Sequence, residues 1–391
     1  MNRPKNILFY IPSLHYGGVE SVITAYVKEM SKRHNIVLLV DDQYEVEPYR
    51  LNNQSIRTIY VKQGISSKIS IKAKTSKLVG TKLFWTFFRY VVESMIFKFK
   101  VKNLVNIEKF DVIIYAYHYL PIELIKKSPN KANKIMFVQN SYETLFTGIR
   151  KYYRNRFREN IRLFDTVLFV NEVSEMHFKQ SGLLRASDFS RTIENPIEKD
   201  RVIELSNLID KPIDISKEFI VSVGRLNESN KDFTTLIKAF IRTAKYHDLD
   251  LVIIGDGPSR KHLTNLALSS PYKERIHFTG FIENPFPIVK QAKAFVLSSR
   301  SESFGMVLLE AMSLNVPVIA SDCPVGPRLI LEDGMFGTLF NTGDIYILSE
   351  ILKDISIDDS YRKMLHKAEK AFNNVDKYSL QSQVHKLEEL L

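Results

Sequence analysis

The sequence predicts an α/β protein made of two doubly wound, parallel-sheet domains that face each other across a cleft. Strand-like apolar runs alternate with longer helical stretches along most of the chain, as parallel βα units require. The alternation stops over ENPIEKDRVIELSNLIDKPIDISKE (194–218), which is polar, holds two prolines and has no strand-like run, and it restarts beyond. A length of 391 residues exceeds one ordinary core and suits two domains of roughly 100–200 residues each.

Taken in order, the first half offers strands at NILFYI (6–11), IVLLV (36–40), VIIYA (112–116), KIMFV (134–138) and TVLFV (166–170), with a clear helix from Val19 to Lys32. The second half offers FIVSVG (219–224), LVIIG (251–255), RIHFTG (275–280), AFVLSS (294–299) and PVIAS (317–321), each followed by a turn and a helix-like stretch. The segment 194–218 reads as a linker. The expected domains are 1–196 and 197–375, with 376–391 as a terminal helix returning to the first domain. Ligands of such sheets bind outside the carboxyl ends of the strands, so the turns that follow strands should carry the chemistry.

Composition narrows the class. With 45% hydrophobic residues, 15 Gly and 14 Pro, the chain is globular. Its single cysteine, Cys323, allows no internal disulfide, and the first residues lack the apolar stretch and cleavage site of a secretory signal, which together point to the cytoplasm. No run reaches the ~18 apolar residues of a spanning helix; the nearest, LFWTFFRYVVESMIF (83–97), is broken by Arg89 and Glu93.

The net charge of +11 lies wholly in residues 1–200, which hold 32 Lys and Arg against 19 Asp and Glu. Ten of these cations fall between Lys62 and Lys102, among Phe84, Trp85, Phe87, Phe88, Tyr90, Phe97 and Phe99, and IRKYYRNRFRENIR (149–162) repeats the mixture. Cations with aromatics suit an anionic membrane surface, where each Lys or Arg contributes about 1 kcal/mol. The same pattern also fits a solvated helix face with its rings turned to the core. No nucleic-acid-binding motif accompanies the charge, so nucleic acid is not an expected partner.

Several turns stand out. Gly17 and Gly18 follow the first strand and open a helix, where backbone N–H groups and the helix dipole favour a phosphate or sugar; a plain tight turn explains the pair equally. Arg225 and Lys231 lie six positions apart after the strand 219–224, in GRLNESNKDF. Guanidinium can fork onto two phosphate oxygens and ammonium can act as a mobile charge, so the two make a receptor for a diphosphate, although a lone surface lysine is commonly only solvated. GDGP (255–258) is a strong turn signal and needs no ligand. After the strand 275–280, the main chain of Phe281 and Ile282 is placed to bond a flat base edge.

The stretch SRSESFGMVLLEAM (299–312) sets Glu302 in a turn, Gly305 where a backbone can be approached closely, and Glu310 in an apolar helix. Carboxylates accept hydrogen bonds from vicinal hydroxyls, so Glu310 suits a ribose and Glu302 a second sugar. The alternative for Glu310 is a structural cap or ion pair. His118, after the strand 112–116, points toward the expected cleft; a lone histidine is more often structural. The nine histidines are scattered without metal-site spacing, and there is no D-x-D, P-loop or G-x-S-x-G.

GGVE (17–20), SVGRLNESNKDF (222–233), GDGP (255–258) and above all ESFGMVLLEAMSLNVPVIASD (302–322) resemble glycosyltransferase family 4, retaining enzymes of the two-domain GT-B fold whose domains are Rossmann-like. CPVGPRLILEDGMFGTLF (323–340) is similar to enzymes of bacterial lipopolysaccharide, capsule or exopolysaccharide synthesis. The resemblance implies that Arg225 and Lys231 hold the nucleotide diphosphate as it leaves, and that Glu310 holds the ribose. It further implies that Glu302 holds the transferred sugar and that Phe304 and Gly305 offer backbone N–H groups, while His118 matches the family's cleft histidine in position. It also implies a metal-independent reaction with no cofactor beyond the nucleotide-sugar donor. The basic, aromatic stretches add the expectation of a lipid-linked glycan acceptor and a peripheral place on the inner face of the plasma membrane. Asp232 departs from the pattern, standing where many members carry glycine. The alternatives are a nucleotide-sugar epimerase of GT-B-like fold and a non-catalytic accessory protein that binds nucleotide sugar or membrane. A UDP-linked hexose or N-acetylhexosamine is the expected donor, ahead of GDP-mannose.

Overall fold

The computed structural model describes residues 3–12, 14, 17–42, 56–62, 95, 99, 109–116, 125, 131–146, 154–185, 188–208 and 217–391. The chain divides into two compact units, one formed by Met1–Pro196 with Leu380–Leu391, the other by Ile197–Ser379.

The first unit is built on a seven-stranded sheet, β1 (Asn6–Ile11), β2 (Asn35–Asp42), β3 (Arg57–Lys62), β4 (Val112–Tyr115), β5 (Asn133–Val138), β6 (Thr166–Phe169) and β7 (Ser190–Thr192), in the order β3-β2-β1-β4-β5-β6-β7. Every neighbouring pair is parallel. The central strands are apolar at consecutive positions because both faces are covered; VIIY of β4 is buried throughout. The helix Gly18–Met30 buries Ile23, Tyr26, Val27 and Met30, an i, i+3, i+4, i+7 stripe. The last helix, Leu380–Glu388, returns to this unit and buries Leu380, Val384 and Leu387. It is tied there by Arg33 to Glu388 at 3.2 Å and by Asn133 Nδ2 donating to the Leu390 carbonyl at 2.7 Å.

The second unit carries a six-stranded parallel sheet of β8 (Phe219–Val223), β9 (Asp250–Ile254), β10 (Ile276–Gly280), β11 (Ala294–Leu297), β12 (Val318–Ser321) and β13 (Thr338–Phe340), ordered β10-β9-β8-β11-β12-β13. Phe233, Leu236, Ile237 and Phe240 of the helix Phe233–Thr243 bury one stripe against it. The α/β class with parallel sheets is thus as the sequence predicts. Three strands were not expected, β3, β7 and β13. Each lies at a sheet edge and pairs on one side only, so short or polar sequences such as SRT suffice there.

The expected linker needs correction. Lys199–Ser206 is a helix that buries Val202 and Ser206, four apart, and packs against the helices Phe286–Gln291 and Met306–Ser313. One buried position per turn, of which only Val202 is apolar, is too sparse a pattern to read from sequence. Among the described residues no helix is long and apolar enough to cross a membrane.

Below the second sheet, Arg275 donates to the carbonyls of Ala244 at 2.7 Å and His247 at 2.8 Å, and lies 3.2 Å from His247 Nδ1. Burial, reinforced by the Arg275 charge, pushes the His247 imidazole down to about 4. Between that value and its ordinary ~6.5 the unfolded chain binds a proton the folded chain refuses, so stability is full above ~6.5 and is lost as pH falls toward 4. Urea midpoints should therefore decline from pH 7 to pH 4.5, and His247→Gln should flatten that decline. An unchanged slope in the variant would assign it to other groups.

Candidate functional site

The second unit gathers the charged turns at the carboxyl edge of its sheet. Leaving β8, the chain turns through Gly224 and Arg225 into the short helix Glu228–Lys231. This loop is braced from beneath by GDGP. Leu226 N–H donates to the Asp256 carbonyl at 3.0 Å, and Ser259 N–H donates to the Leu226 carbonyl at 2.9 Å. The two chains are so close that a Cβ on Gly255 would lie 2.0 Å from the Gly224 carbonyl oxygen, and one on Gly257 would lie 2.5 Å from that of Leu226. GDGP is therefore a structural brace that fixes where Arg225 stands. Arg225 is exposed, and among the described residues its guanidinium has no ion-pair partner.

Lys231 and Glu302, 71 positions apart, meet directly, Nζ on Oε1, and Ser299 Oγ donates to the same carboxylate oxygen at 2.6 Å. Both side chains are largely withdrawn from solvent, at 22% and 13% exposure. The two loops are joined along their length. Arg300 N–H donates to the Asn230 carbonyl at 2.7 Å, Ser298 Oγ to the Asp232 carbonyl at 3.0 Å, and the Arg300 guanidinium pairs with the Asp232 carboxylate at 3.1 Å. The main chain of Glu302 is held in turn by Val325 and Gly326, whose N–H groups donate to its carbonyl at 2.9 and 3.0 Å.

Asp232 explains its own departure from the resembling family. Its backbone is left-handed, φ 42° and ψ 47°, a conformation that glycine adopts freely and that Asp tolerates better than most residues. Its buried carboxylate then caps the helix Phe233–Thr243, accepting from Thr235 N at 3.3 Å and from Thr235 Oγ1 at 2.9 Å. Ser299 and Arg300 were not singled out in the sequence, and Asp232 was noted only as a departure from glycine. The one visible sign was the density of Ser and Arg in SRSES ahead of the apolar helix.

Phe304 is buried against Tyr378, rings 5.8 Å apart, and Gly305 at φ 103° opens the helix Met306–Ser313. Glu310 lies on that helix half-buried, less enclosed than an apolar helix implied. Phe281 and Ile282 follow β10 at the same sheet edge. Cys323 is buried, and its thiol is pushed up to about 12, first by burial and then by the Glu302 carboxylate, which places it beside the Lys231–Glu302 pair as a neutral neighbour.

The remaining expected residues stand elsewhere. Gly17 and Gly18 belong to the first unit, where Gly17 is extended and caps the helix Gly18–Met30. A Cβ on Gly17 would lie 2.2 Å from a Glu20 carboxylate oxygen. That carboxylate already sits at the helix amino end, so a phosphate would have to displace it, whereas a hydroxyl could donate to it. His118 lies outside the described residues, as does nearly all of the basic and aromatic stretch 62–102. In the second basic cluster, Phe157 packs against Phe146 and Phe178 at 5.4 and 6.0 Å while Arg154 and Arg158 are exposed, which is the arrangement of rings turned to the core.

Residues 207–372 match the family model described as Glycosyl transferases group 1. That match lies wholly within the second unit. Over 164 residues the chain is 32% identical to the N-acetylgalactosamine-N,N'-diacetylbacillosaminyl-diphospho-undecaprenol 4-alpha-N-acetylgalactosaminyltransferase of Campylobacter jejuni, a match covering 41% of this chain and 44% of that one. Over 167 residues it is 33% identical to the lipopolysaccharide 1,6-galactosyltransferase of Salmonella typhimurium, covering 41% and 44%. Such matches span between 39% and 50% of the length of the first curated relatives. Along nearly its whole length the chain resembles Anabaena HepE in complex with UDP and glucose, with a TM-score of 0.73, 16% identity and 98% of each chain covered. The Escherichia coli structure described as trehalose-6-phosphate bound with UDP-2-fluoro glucose gives a TM-score of 0.74 at 11% identity, again over 98% of each chain. At these identities the likeness establishes the fold, two parallel-sheet α/β domains of the GT-B kind.

The left-handed backbone at Asp232 allows a direct check on how the charged loops are set. Asp232→Asn keeps the left-handed turn and an acceptor for the cap but loses the charge opposite Arg300. Asp232→Gly keeps only the turn, and Asp232→Ala keeps neither, with about 1–2 kcal/mol added for the left-handed backbone. Urea denaturation should rank the losses Asn, then Gly, then Ala. Equal losses for Gly and Ala would show that backbone handedness does not constrain this position.

Proposed function

We propose that the chain is a metal-independent, retaining glycosyltransferase that moves a hexose or N-acetylhexosamine from a nucleotide-diphosphate sugar, a UDP-sugar first, to a lipid-linked glycan acceptor in bacterial surface polysaccharide synthesis. The observation that carries the proposal is the meeting of Lys231 and Glu302 across two loops, inside the region that matches the group 1 model. The names of the curated relatives, which include lipopolysaccharide and undecaprenol-linked transferases, support the choice of acceptor class. The UDP in the HepE structure supports the choice of nucleotide.

The chemistry follows from charge. When the bond between the anomeric carbon and the diphosphate oxygen breaks, the electron pair leaves with the phosphate, and positive charge builds at the sugar carbon. Arg225 and Lys231 offset the first; they supply charge that a divalent cation would otherwise bring. In the free protein the Lys231 ammonium is neutralised by Glu302. A bound diphosphate takes over as its counterion, and Glu302 is then released to accept from sugar hydroxyls, while Glu310 receives the ribose hydroxyls and Phe304 and Gly305 offer N–H groups. Acceptor access from an anionic membrane surface on the cytoplasmic face belongs to the same proposal, with the basic stretch 62–102 as the contact.

Fixed donors at a departing oxyanion typically contribute ~2.7–4 kcal/mol each to the transition state. Arg225→Ala and Lys231→Ala should each lower turnover at least tenfold, with circular dichroism spectra retained. The assay is release of free sugar from a panel of nucleotide sugars without acceptor, followed by transfer once a donor is found. Slow hydrolysis by the wild type with loss in both variants supports the transferase. Interconversion of donors would make it an epimerase, and binding without turnover would make it an accessory protein.

A further inference from the structure

The outer helical layer of the second unit holds a hollow that the charged loops do not use. The helix Phe233–Thr243 buries Phe233, Leu236, Ile237 and Phe240 along one stripe, and Lys238 and Arg242, one turn apart, fall on its exposed side. This helix packs along the helix Ile345–Asp354 and touches the helix Arg260–Leu268. Where the three meet, a hollow of about 540 Å³ opens, lined by Lys238, Ile241 and Arg242 of the first, Ile345 and Tyr346 of the second and Leu266 of the third.

Its floor is apolar and its rim is positive. Ile241, Leu266 and Ile345 pack against the core yet remain only partly buried. Tyr346 is 66% exposed, and the Arg242 guanidinium lies over its ring, 4.4 Å from the centroid. The ring attracts the cation without neutralising it. Among the described residues neither Lys238 nor Arg242 has an ion-pair partner, and no acid lines the hollow. The acids beside it on the third side are committed: Asp344 accepts from Ile347 N–H at 3.0 Å, and Glu350 pairs with Lys353 at 2.7 Å. Lys245, just beyond Arg242, adds a further positive charge, held over the Tyr246 ring at 4.7 Å. A cation in the last helical turn complements the helix dipole, which accounts for Arg242 but not for Lys238 a turn earlier.

Two unpaired cations one turn apart, above an apolar floor, select a ligand with two chemically different ends. A single carboxylate is used up by one forked guanidinium, whereas a phosphate monoester has three free oxygens and can meet a guanidinium and an ammonium together. Its charge near neutral pH, about −1.5 to −2, balances both. The floor offers such a phosphate no polar partner, so the group it esterifies must be apolar to gain from lying there.

We propose that this hollow binds an amphiphilic phosphate monoester, with the phosphate between Lys238 and Arg242 and the apolar alcohol residue laid on Ile241, Leu266 and Ile345 beside the Tyr346 ring. None of the lining residues belongs to the loops that carry Lys231 and Glu302, and the site does not rest on the transferase reading. Isothermal titration of the full chain with hexyl phosphate should show binding that weakens at least tenfold in Lys238→Gln/Arg242→Gln, the loss of two charge-assisted contacts. Inorganic phosphate and hexanol, each matching one end only, should bind at least tenfold more weakly than hexyl phosphate. Binding should persist in Arg225→Ala/Lys231→Ala.

No binding by the wild type, equal binding by Lys238→Gln/Arg242→Gln, inorganic phosphate bound as tightly as hexyl phosphate, or loss in Arg225→Ala/Lys231→Ala overturns the site and leaves a solvated helix face only. Both cations are exposed, so the melting temperature should be retained; if the double variant does not fold, Lys238→Gln alone carries the comparison. Flotation with phosphatidylcholine vesicles, with and without phosphatidic acid, separates the two sources of such a phosphate. Binding to phosphatidic acid vesicles that falls in the double variant supports a lipid phosphate, and hexyl phosphate binding without variant-sensitive flotation supports a soluble ester.

Discussion

The contact between Lys231 and Glu302 is the constraint around which the second unit is arranged. Two opposite charges, mostly withdrawn from water, are stable there only if the loops that carry them cannot drift, because a buried charge without its partner is costly. The structure meets that demand from several sides. Parallel strands β8 and β11 are neighbours, so their following loops start side by side. The GDGP turn closes against the first loop, Val325 and Gly326 hold the second, and Asp232 with Arg300 bolts one to the other. A sheet edge thereby becomes a rigid holder for two opposite charges.

The fold was legible where both faces of an element are covered. Runs such as VIIY and LVII admit no polar residue and announce themselves, which is why the central strands of both sheets were found. The edges β3, β7 and β13 were not, since a strand paired on one side needs little apolar character. The helix Lys199–Ser206 escaped for a related reason: its neighbours are supplied by distant parts of the chain, and Val202 alone marks its inner face.

Of the site, the charged residues were legible because Glu, Arg and Lys are conspicuous beside strand ends and apolar helices. Their partners were not. Nothing in the order of residues says that Ser299 will reach the Glu302 carboxylate, that Arg300 will pair with a residue 68 positions earlier, or that Asp232 will sit in a left-handed turn. Glu310 lies in an apolar helix yet is only half-buried, since such a helix still turns one side outward. The match to the group 1 model falls within the second unit.

The most direct test of the central claim is a crystal structure of the chain with UDP. The account predicts the diphosphate at the carboxyl edge of the second sheet, within hydrogen-bonding distance of both Lys231 Nζ and the Arg225 guanidinium, with the Glu302 carboxylate moved off the ammonium. Nucleotide bound at another edge, or bound here with Lys231 still engaged only by Glu302 and Arg225 turned to solvent, would contradict it.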